Sequence, residues 1–230
     1  MLVRAHSFAI ARGMAEHVEV ELDVRAGLPS FAVVGLNPTA ARDARERVHA
    51  ALLNSGFGFP RKRVTVNLAP ANTRRTGAGF DLALACCVLA AQDQLDPARL
   101  AGVGLFAELG LGGGLRPCPS AAAAALLAER IGLRGLVVAA ADLHEAREAC
   151  GLPVAGPRTL AAAAVLFAGT REHATGPVGG RRAPAAGSPG SAAPSRDAIG
   201  RGSAPRAEGA AQSPRREVPR RVRREVGDRG

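Results

Sequence analysis

The sequence contains no tryptophan or tyrosine and only one lysine, Lys62, although lysine and arginine together number 30. A phosphate-binding P-loop needs a lysine followed by serine or threonine. Lys62 is followed by Arg63, so these 230 residues contain no P-loop. The longest apolar run, residues 82–91, is about half of the roughly 20 residues that a membrane-spanning helix requires. We therefore expect no membrane partner.

Residues that commonly bind metals are few and scattered. None of the four cysteines forms a CxxC pair, and two adjacent cysteines on a helix point in different directions. The five histidines lie far apart, and His144-Glu145 lacks the second histidine of a zinc-protease helix. We therefore expect neither a disulfide framework nor a metal site, and a reducing cytoplasm fits best. The cysteines are Cys86, Cys87, Cys118 and Cys150.

Charge and composition divide the chain near residue 170. Residues 1–170 contain 17 basic and 14 acidic residues, whereas residues 171–230 contain 13 arginines and 6 acids, a net charge of +7. This second part is rich in proline, glycine and alanine and has too few large apolar residues to offset the entropy lost on folding. The composition predicts a folded domain over residues 1–168 and a disordered tail over residues 169–230.

The first third of the chain has the patterns of three strands and a helix. Residues 2–10, 16–24 and 30–36 are rich in β-formers, the second with strict alternation, and short links between them suggest a three-stranded meander. Asn37 followed by proline predicts a helix start, and Gly56 predicts its end near residue 54.

The remaining pattern alternates strands and helices. Residues 63–69 have the pattern of a strand, and residues 80–92 are apolar on nearly every side, which predicts a buried helix. A glycine-rich hairpin follows, and then helices and strands alternate up to residue 167. The fold class expected from this order is α/β, as an α+β two-layer sandwich. The later segments are helices at 119–131, 142–150 and 159–167 and strands at 133–139 and 153–155.

Five strings of the sequence go beyond a pattern of secondary structure: residues 27–36, 45–57, 63–71, 77–82 and 108–117. They resemble the N-terminal domain of the YifB/ComM competence proteins, which are magnesium-chelatase-like AAA+ ATPases, and they follow the family's order over about residues 1–168.

The resemblance implies a fold shared with the Lon protease catalytic domain and with a domain of a small-subunit ribosomal protein. It also implies an ATP- and Mg²⁺-dependent module after residue 168, within a hexameric ring that acts on DNA in transformation and recombination, such as by branch migration. Here the arginine-rich tail stands at that place instead. The simplest explanation for the tail in place of this module is a truncation or a change of reading frame.

The resemblance to Lon-type peptidases does not extend to their catalytic residues. Those enzymes use a serine whose proton is taken by a lysine. Gly79 occupies the place of the serine, and the window at 119–123, where the lysine should be, contains only Ser120 among residues with a reactive side chain. We therefore expect no peptidase activity, no cofactor and no enzyme activity from this chain. Glu108 and Asp81 are interpreted as structural, Asp81 because a carboxylate favours a helix start.

Two basic groups are candidates for binding an anion or nucleic acid. Backbone N–H groups of the glycines in the first group could accept a phosphate beside the following helix start, but a solvated rim or a subunit contact is the alternative. No aromatic residues interleave with these arginines, so base stacking is not indicated. The second group is the tail, where arginines could bind DNA or reflect GC-rich DNA read out of frame. The first group comprises Arg61, Lys62, Arg63, Arg74, Arg75, Gly77 and Gly79.

Overall fold

The computed structural model describes residues 1–71 and 78–169 of the chain. The predicted disordered tail lies outside these residues from position 170 onward. The strands are β1 (Leu2–Ala11), β2 (Met14–Arg25), β3 (Ser30–Val34), β4 (Arg63–Ala69), β5 (Val103–Phe106), β6 (Glu108–Leu109), β7 (Leu115–Arg116), β8 (Gly135–Val138) and β9 (Val154–Ala155). The helices are α1 (Pro38–Asn54), α2 (Asp81–Ala90), α3 (Pro97–Leu100), α4 (Ala121–Arg130), α5 (Leu143–Ala149) and α6 (Leu160–Phe167).

Seven of these strands form one mixed sheet in the order β3-β4-β2-β1-β5-β8-β9. β2 is antiparallel to both β1 and β4, whereas the other neighbours pair in parallel. The predicted glycine hairpin is confirmed as the small separate pair β6-β7. The predicted α/β class is therefore confirmed, with a mostly parallel sheet.

The predicted three-stranded meander is wrong, because β4 lies between β2 and β3. β3 and β4 are parallel neighbours, with Ser30 opposite Arg63. The 17-residue α1 joins the two strands, and a parallel pair requires a crossover of this length. β4 is therefore the antiparallel neighbour of β2, whereas the meander predicts β3 in that position.

Helix α1 begins and ends where the sequence predicts. The side chain of Asn37 accepts a hydrogen bond from the backbone N–H of Ala40 at 2.8 Å, which satisfies one of the free donors at the helix start. At the other end, Gly56 has a φ of 81°, the left-handed conformation that commonly follows the last turn of a helix. Both boundaries therefore follow from local capping.

Helix α2 is the buried centre of the domain, as predicted. All ten of its residues are buried, and most of its side chains pack in one core with α1 and with the inward side chains of β1, β2 and β4. On β2 these inward residues are Val18, Val20 and Leu22, each fully buried. The alternation that predicted β2 thus marks the face of the sheet that α2 covers.

A second core lies on the opposite face of the sheet, near its other edge. Val137 of β8 belongs to the core of α2, whereas its neighbours Leu136 and Val138 pack with Phe8 and with the alanines of α4. Successive residues of a strand point to opposite faces. The domain therefore has two layers over β3, β4 and β2, and three layers over β5 and β8, where both faces of the sheet are covered. Among the described residues, no helix combines the length and the apolar character needed to cross a membrane.

Candidate functional site

Three of the predicted site residues form an exposed group at the start of β4. Arg61, Lys62 and Arg63, here called the basic triplet, are all exposed. The backbone N–H of Ser30 donates a hydrogen bond to the carbonyl of Lys62 at 3.3 Å, so the triplet lies beside the start of β3. Within residues 1–71 and 78–169, no carboxylate lies within ion-pair distance of the triplet. Its three charges are therefore available to an anionic ligand.

The structure places Gly79 far from the basic triplet. Arg63 lies opposite Arg25 on β2, whereas Gly79 lies close to Ser7, which pairs with Val18 of the same strand. Seven residues of strand between Arg25 and Val18 correspond to roughly 23 Å. One anion therefore cannot contact both groups at once.

The other three residues of the predicted site, Arg74, Arg75 and Gly77, lie outside the described residues. Anion binding by the loop they belong to stays a prediction.

Gly79 is a glycine because another side chain packs against its backbone. A Cβ atom added at this position would lie 2.3 Å from Cε2 of Phe106, and Phe106 is itself 2% exposed. The carbonyl oxygen of Gly79 accepts a hydrogen bond from the N–H of Ala107 at 3.0 Å. The Phe106 ring thus fills the space in which a side chain at position 79 would have to lie.

A buried ion pair lies next to Gly79. Asp81, the first residue of α2, has no exposed side-chain area, and its two oxygens accept hydrogen bonds from Nε and Nη2 of Arg47 at 2.7 and 3.1 Å. The N–H of Leu109 donates a longer bond, 3.4 Å, to Asp81. The helical spacing of α1 predicts that Arg47 lies on the solvent side with Arg42 and Arg45. This prediction is wrong, because the Arg47 guanidinium reaches the buried carboxylate and only a quarter of its side chain is exposed.

The protonation of Asp81 is set by burial. Burial raises the pKa of Asp81 to about 6, although the hydrogen bonds and charge of Arg47 oppose this increase. The nearby carboxylate of Glu108 also raises it. The hydrogen bond to Asp81 in turn raises the pKa of Arg47. The pair therefore joins the start of α2 to the middle of α1, and desolvation is the largest influence on its carboxylate.

A cleft of about 430 Å³ opens beside this ion pair. Its walls include Asn37 and Thr39 at the start of α1, together with Asp43, Arg47 and Glu108. Among the described residues, its lining contains no cysteine, histidine, serine or lysine, so these residues do not form the Ser-Lys arrangement for covalent catalysis. The cleft can offer hydrogen bonds and charge to a ligand. Glu108 also pairs with Arg116 across the β6-β7 hairpin at 3.5 Å.

Two of the scattered histidines come together in the structure. Nδ1 of His6 and Nε2 of His17 lie 3.0 Å apart on the β1-β2 hairpin. Burial and, to a smaller extent, the neighbouring His6 lower the pKa of His17. The register of a hairpin with a short turn could have revealed this pair. In the described part of the chain, no three potential ligands come together in a way that could hold a metal ion.

The four cysteines are all free thiols. Cys86 and Cys87 lie inside α2, and burial raises the pKa of both. Thiols protonated in this way are poor nucleophiles. They serve as core side chains.

These features define a mixed α/β domain with a buried ion pair at the start of its central helix. A family model described as "Subunit ChlI of Mg-chelatase" matches residues 20–142. The match covers more than half of the chain, and the chain belongs to this family. The predicted resemblance to magnesium-chelatase-like proteins is therefore confirmed.

Curated relatives agree with this assignment. The chain is 41% identical over 159 residues to an uncharacterized protein of Mycobacterium tuberculosis, covering 69% of this chain and 32% of that protein. It is 40% identical over 134 residues to YifB of Escherichia coli, covering 58% and 26%. It is 41% identical over 129 residues to the competence protein ComM of Haemophilus influenzae, covering 56% and 25%. The chain thus spans about a third or less of these relatives.

Proposed function

We propose that this chain acts as a non-catalytic N-terminal domain of a ComM-like ATPase of the magnesium-chelatase family. The observation that carries the proposal is the similarity of about 40% to YifB and ComM, continuous over more than half of the chain. In the proposed complete protein, an AAA+ module binds ATP and Mg²⁺, assembles as a hexameric ring and moves DNA in recombination, in the cytoplasm. In that protein this domain has a structural role or contacts other parts of the assembly, and it catalyses no reaction.

The geometry around position 79 supports a non-catalytic role. In Lon-type peptidases the corresponding position carries the serine nucleophile, but here the Phe106 ring leaves no room for any side chain. Ser120, in the window where the lysine would lie, has no neighbouring lysine, because Lys62 is the only one in the sequence. A peptidase of the Ser-Lys type therefore lacks both of its working groups.

Nucleotide binding provides a direct test of this proposal. We expect the purified 230-residue chain neither to bind nor to hydrolyse ATP, because it has no P-loop to hold the phosphates. Isothermal titration calorimetry with ATP and Mg²⁺ measures binding, and phosphate release measures hydrolysis. Full-length ComM is the positive control. Stoichiometric ATP binding to the purified chain would overturn the proposal.

A second candidate function is favoured by the unpaired charges of the basic triplet. In this alternative the chain is a self-standing nucleic-acid-binding protein, in which the folded domain carries a site and the arginine-rich tail adds affinity. Contacts from arginine and lysine to phosphates release counterions, which makes binding steeply salt-dependent. DNA affinity measured as a function of salt therefore distinguishes a site on the domain from a purely polycationic tail.

The loop arginines provide the variant for this second test. If the loop binds phosphate, Arg74→Ala combined with Arg75→Ala should lower DNA affinity and reduce the salt slope by roughly 0.7 to 0.9 for each lost contact. Fluorescence anisotropy with labelled DNA gives both quantities. The matched control, Arg99→Ala with Arg130→Ala, removes the same charge from two other exposed positions. Equal effects of the two pairs would mean that the loop carries no site.

A further inference from the structure

A second pocket lies beside the basic triplet, far from Gly79. It has a volume of about 330 Å³ and lies between the start of β3, the middle of α1 and the segment that leads into β4. This volume is at the small end of the range of roughly 300 to 1,000 Å³ found for ligand sites. Its lining includes Phe31, Phe59, His49, Arg45 and Glu46.

Three rings from separate parts of the chain form one wall of this pocket. The ring of Phe59 lies between the other two, with its centroid 5.1 Å from that of Phe31 and 4.8 Å from that of His49. These distances are typical of favourable aromatic pairs. Phe31 and Phe59 are half-buried and His49 is exposed, so the wall is held in place and still reaches solvent. We call these three residues the aromatic wall.

Arg61 and Lys62 of the basic triplet lie beside the same pocket, whereas Arg63 lines a separate cavity with Asp23 and Thr65. Pro60, which lines the pocket, directly precedes Arg61, and Ser30, also in the lining, is bonded to the carbonyl of Lys62. Arg45 is partly engaged, because its Nη2 donates to Glu46 at 2.8 Å. The triplet has no such partner among the described residues. Positive charge therefore lies next to an aromatic surface, an association that the sequence does not reveal because Phe31 and His49 are distant in the chain.

We propose that the aromatic wall stacks an unpaired base of single-stranded nucleic acid while Arg61 and Lys62 contact the phosphates beside it. Aromatic side chains next to cationic residues are the usual means of binding single strands without sequence preference. A base enters a concave pocket only when it is not held in a duplex, which favours a single strand over double-stranded DNA. Glu46 can accept a hydrogen bond from an N–H group of the base, such as N3–H of thymine. This proposal rests on the proposed action of the family on DNA.

The test compares two ligands of equal charge on the full chain. One is a labelled oligodeoxythymidine, and the other is an abasic oligonucleotide of the same length, which keeps the phosphates and lacks the bases. The arginine-rich tail is present in every sample and contacts phosphates in both ligands. We expect the wild-type chain to bind the thymidine strand about tenfold more tightly, as measured by fluorescence anisotropy.

Two sets of variants assign this preference to the pocket. Phe59→Leu keeps an apolar side chain but removes the ring, and it should reduce the preference to about equal binding. Arg61→Ala with Lys62→Ala should weaken the binding of both ligands and lower the salt slope by about 0.7 for each lost contact. Arg12→Ala, an exposed arginine at the β1-β2 turn at the other end of the sheet, should leave the preference unchanged. If Phe59→Leu unfolds the protein by circular dichroism, His49→Ala at an exposed helical position replaces it.

The outcomes separate this proposal from the function on which it rests. Equal binding of both ligands by the wild-type chain, or a preference that survives Phe59→Leu and His49→Ala, would overturn base stacking while leaving DNA binding intact. Binding of neither ligand would overturn both base stacking and nucleic-acid binding by this chain, and it would leave the assignment as a domain of a ComM-like ATPase untouched. Competition by free thymidine monophosphate as strong as that by the oligonucleotide would overturn strand binding in favour of a nucleotide site.

Discussion

Arg47→Ala is expected to lower the free energy of unfolding by about 3 to 5 kcal/mol near pH 8. The substitution leaves the carboxylate of Asp81 fully buried with one remaining hydrogen bond of 3.4 Å, from the N–H of Leu109. Removing one partner of a buried pair is costly because the other charge loses its compensation in a medium of low polarity. The variant can reduce this cost by protonating Asp81.

The pH dependence of stability follows from the raised pKa of Asp81. In the wild-type protein its pKa of about 6 exceeds its ordinary value of 3.8, so the folded state holds this proton more tightly than the unfolded state. The contribution of Asp81 to the free energy of unfolding is fully present below pH 3.8 and is lost as the pH rises to about 6. Above that pH this contribution no longer changes. Without Arg47 the pKa rises further, so the loss continues above pH 6 at about 1.4 kcal/mol per pH unit.

Urea unfolding at pH 5 and pH 8 measures this effect. The expected destabilisation by Arg47→Ala is larger at pH 8 than at pH 5. Arg42→Ala, an exposed arginine on the same helix, is the control and should change stability by less than about 0.5 kcal/mol. Arg47→Met combined with Asp81→Asn removes both charges and should recover much of the loss at pH 8. An Arg47→Ala effect that is small and independent of pH would contradict the buried pair.

The sequence predicts the elements of this fold well wherever their signals are local. The limits of α1 follow from Asn37 and Gly56, and the burial of α2 follows from its apolar residues on every side. The order of strands in the sheet is harder to predict, because pairing joins residues that are distant in the chain. The alternation of β2 reveals which face is buried but not which strand lies beside it, and for this reason the sequence pattern predicts β3 where β4 lies.

The site was predicted less completely because its members come from separate segments. Arg47 and Asp81 are 34 residues apart, and the helical pattern of α1 places Arg47 among exposed charges. One signal was present, since Asp81 begins an otherwise apolar helix and a buried carboxylate needs a partner. The aromatic wall gives no comparable signal, because single phenylalanines in a sequence are usually core residues.

Gly79→Ala is expected to lower the free energy of unfolding by about 3 kcal/mol, a large effect for adding one methyl group. The new Cβ atom would lie 2.3 Å from the Phe106 ring. The ring has little room to move, because its edge packs against Phe8 with centroids 6.1 Å apart. Gly79→Ser, which introduces the residue type of Lon-type peptidases, should be at least as destabilising and should yield no cleavage of a casein substrate.

Thermal and urea unfolding of three further variants tests whether the destabilisation by Gly79→Ala comes from the contact with Phe106. Gly112→Ala is the matched control, because a Cβ at Gly112 meets no atom within 4 Å, and its effect should stay within about 0.5 kcal/mol. Phe106→Leu removes the atom nearest to the new methyl group, so the double variant Gly79→Ala with Phe106→Leu should lose less stability than the sum of the two single changes. Strict additivity would show that the space at position 79 is not filled by Phe106, and the steric argument against a nucleophile there would fail.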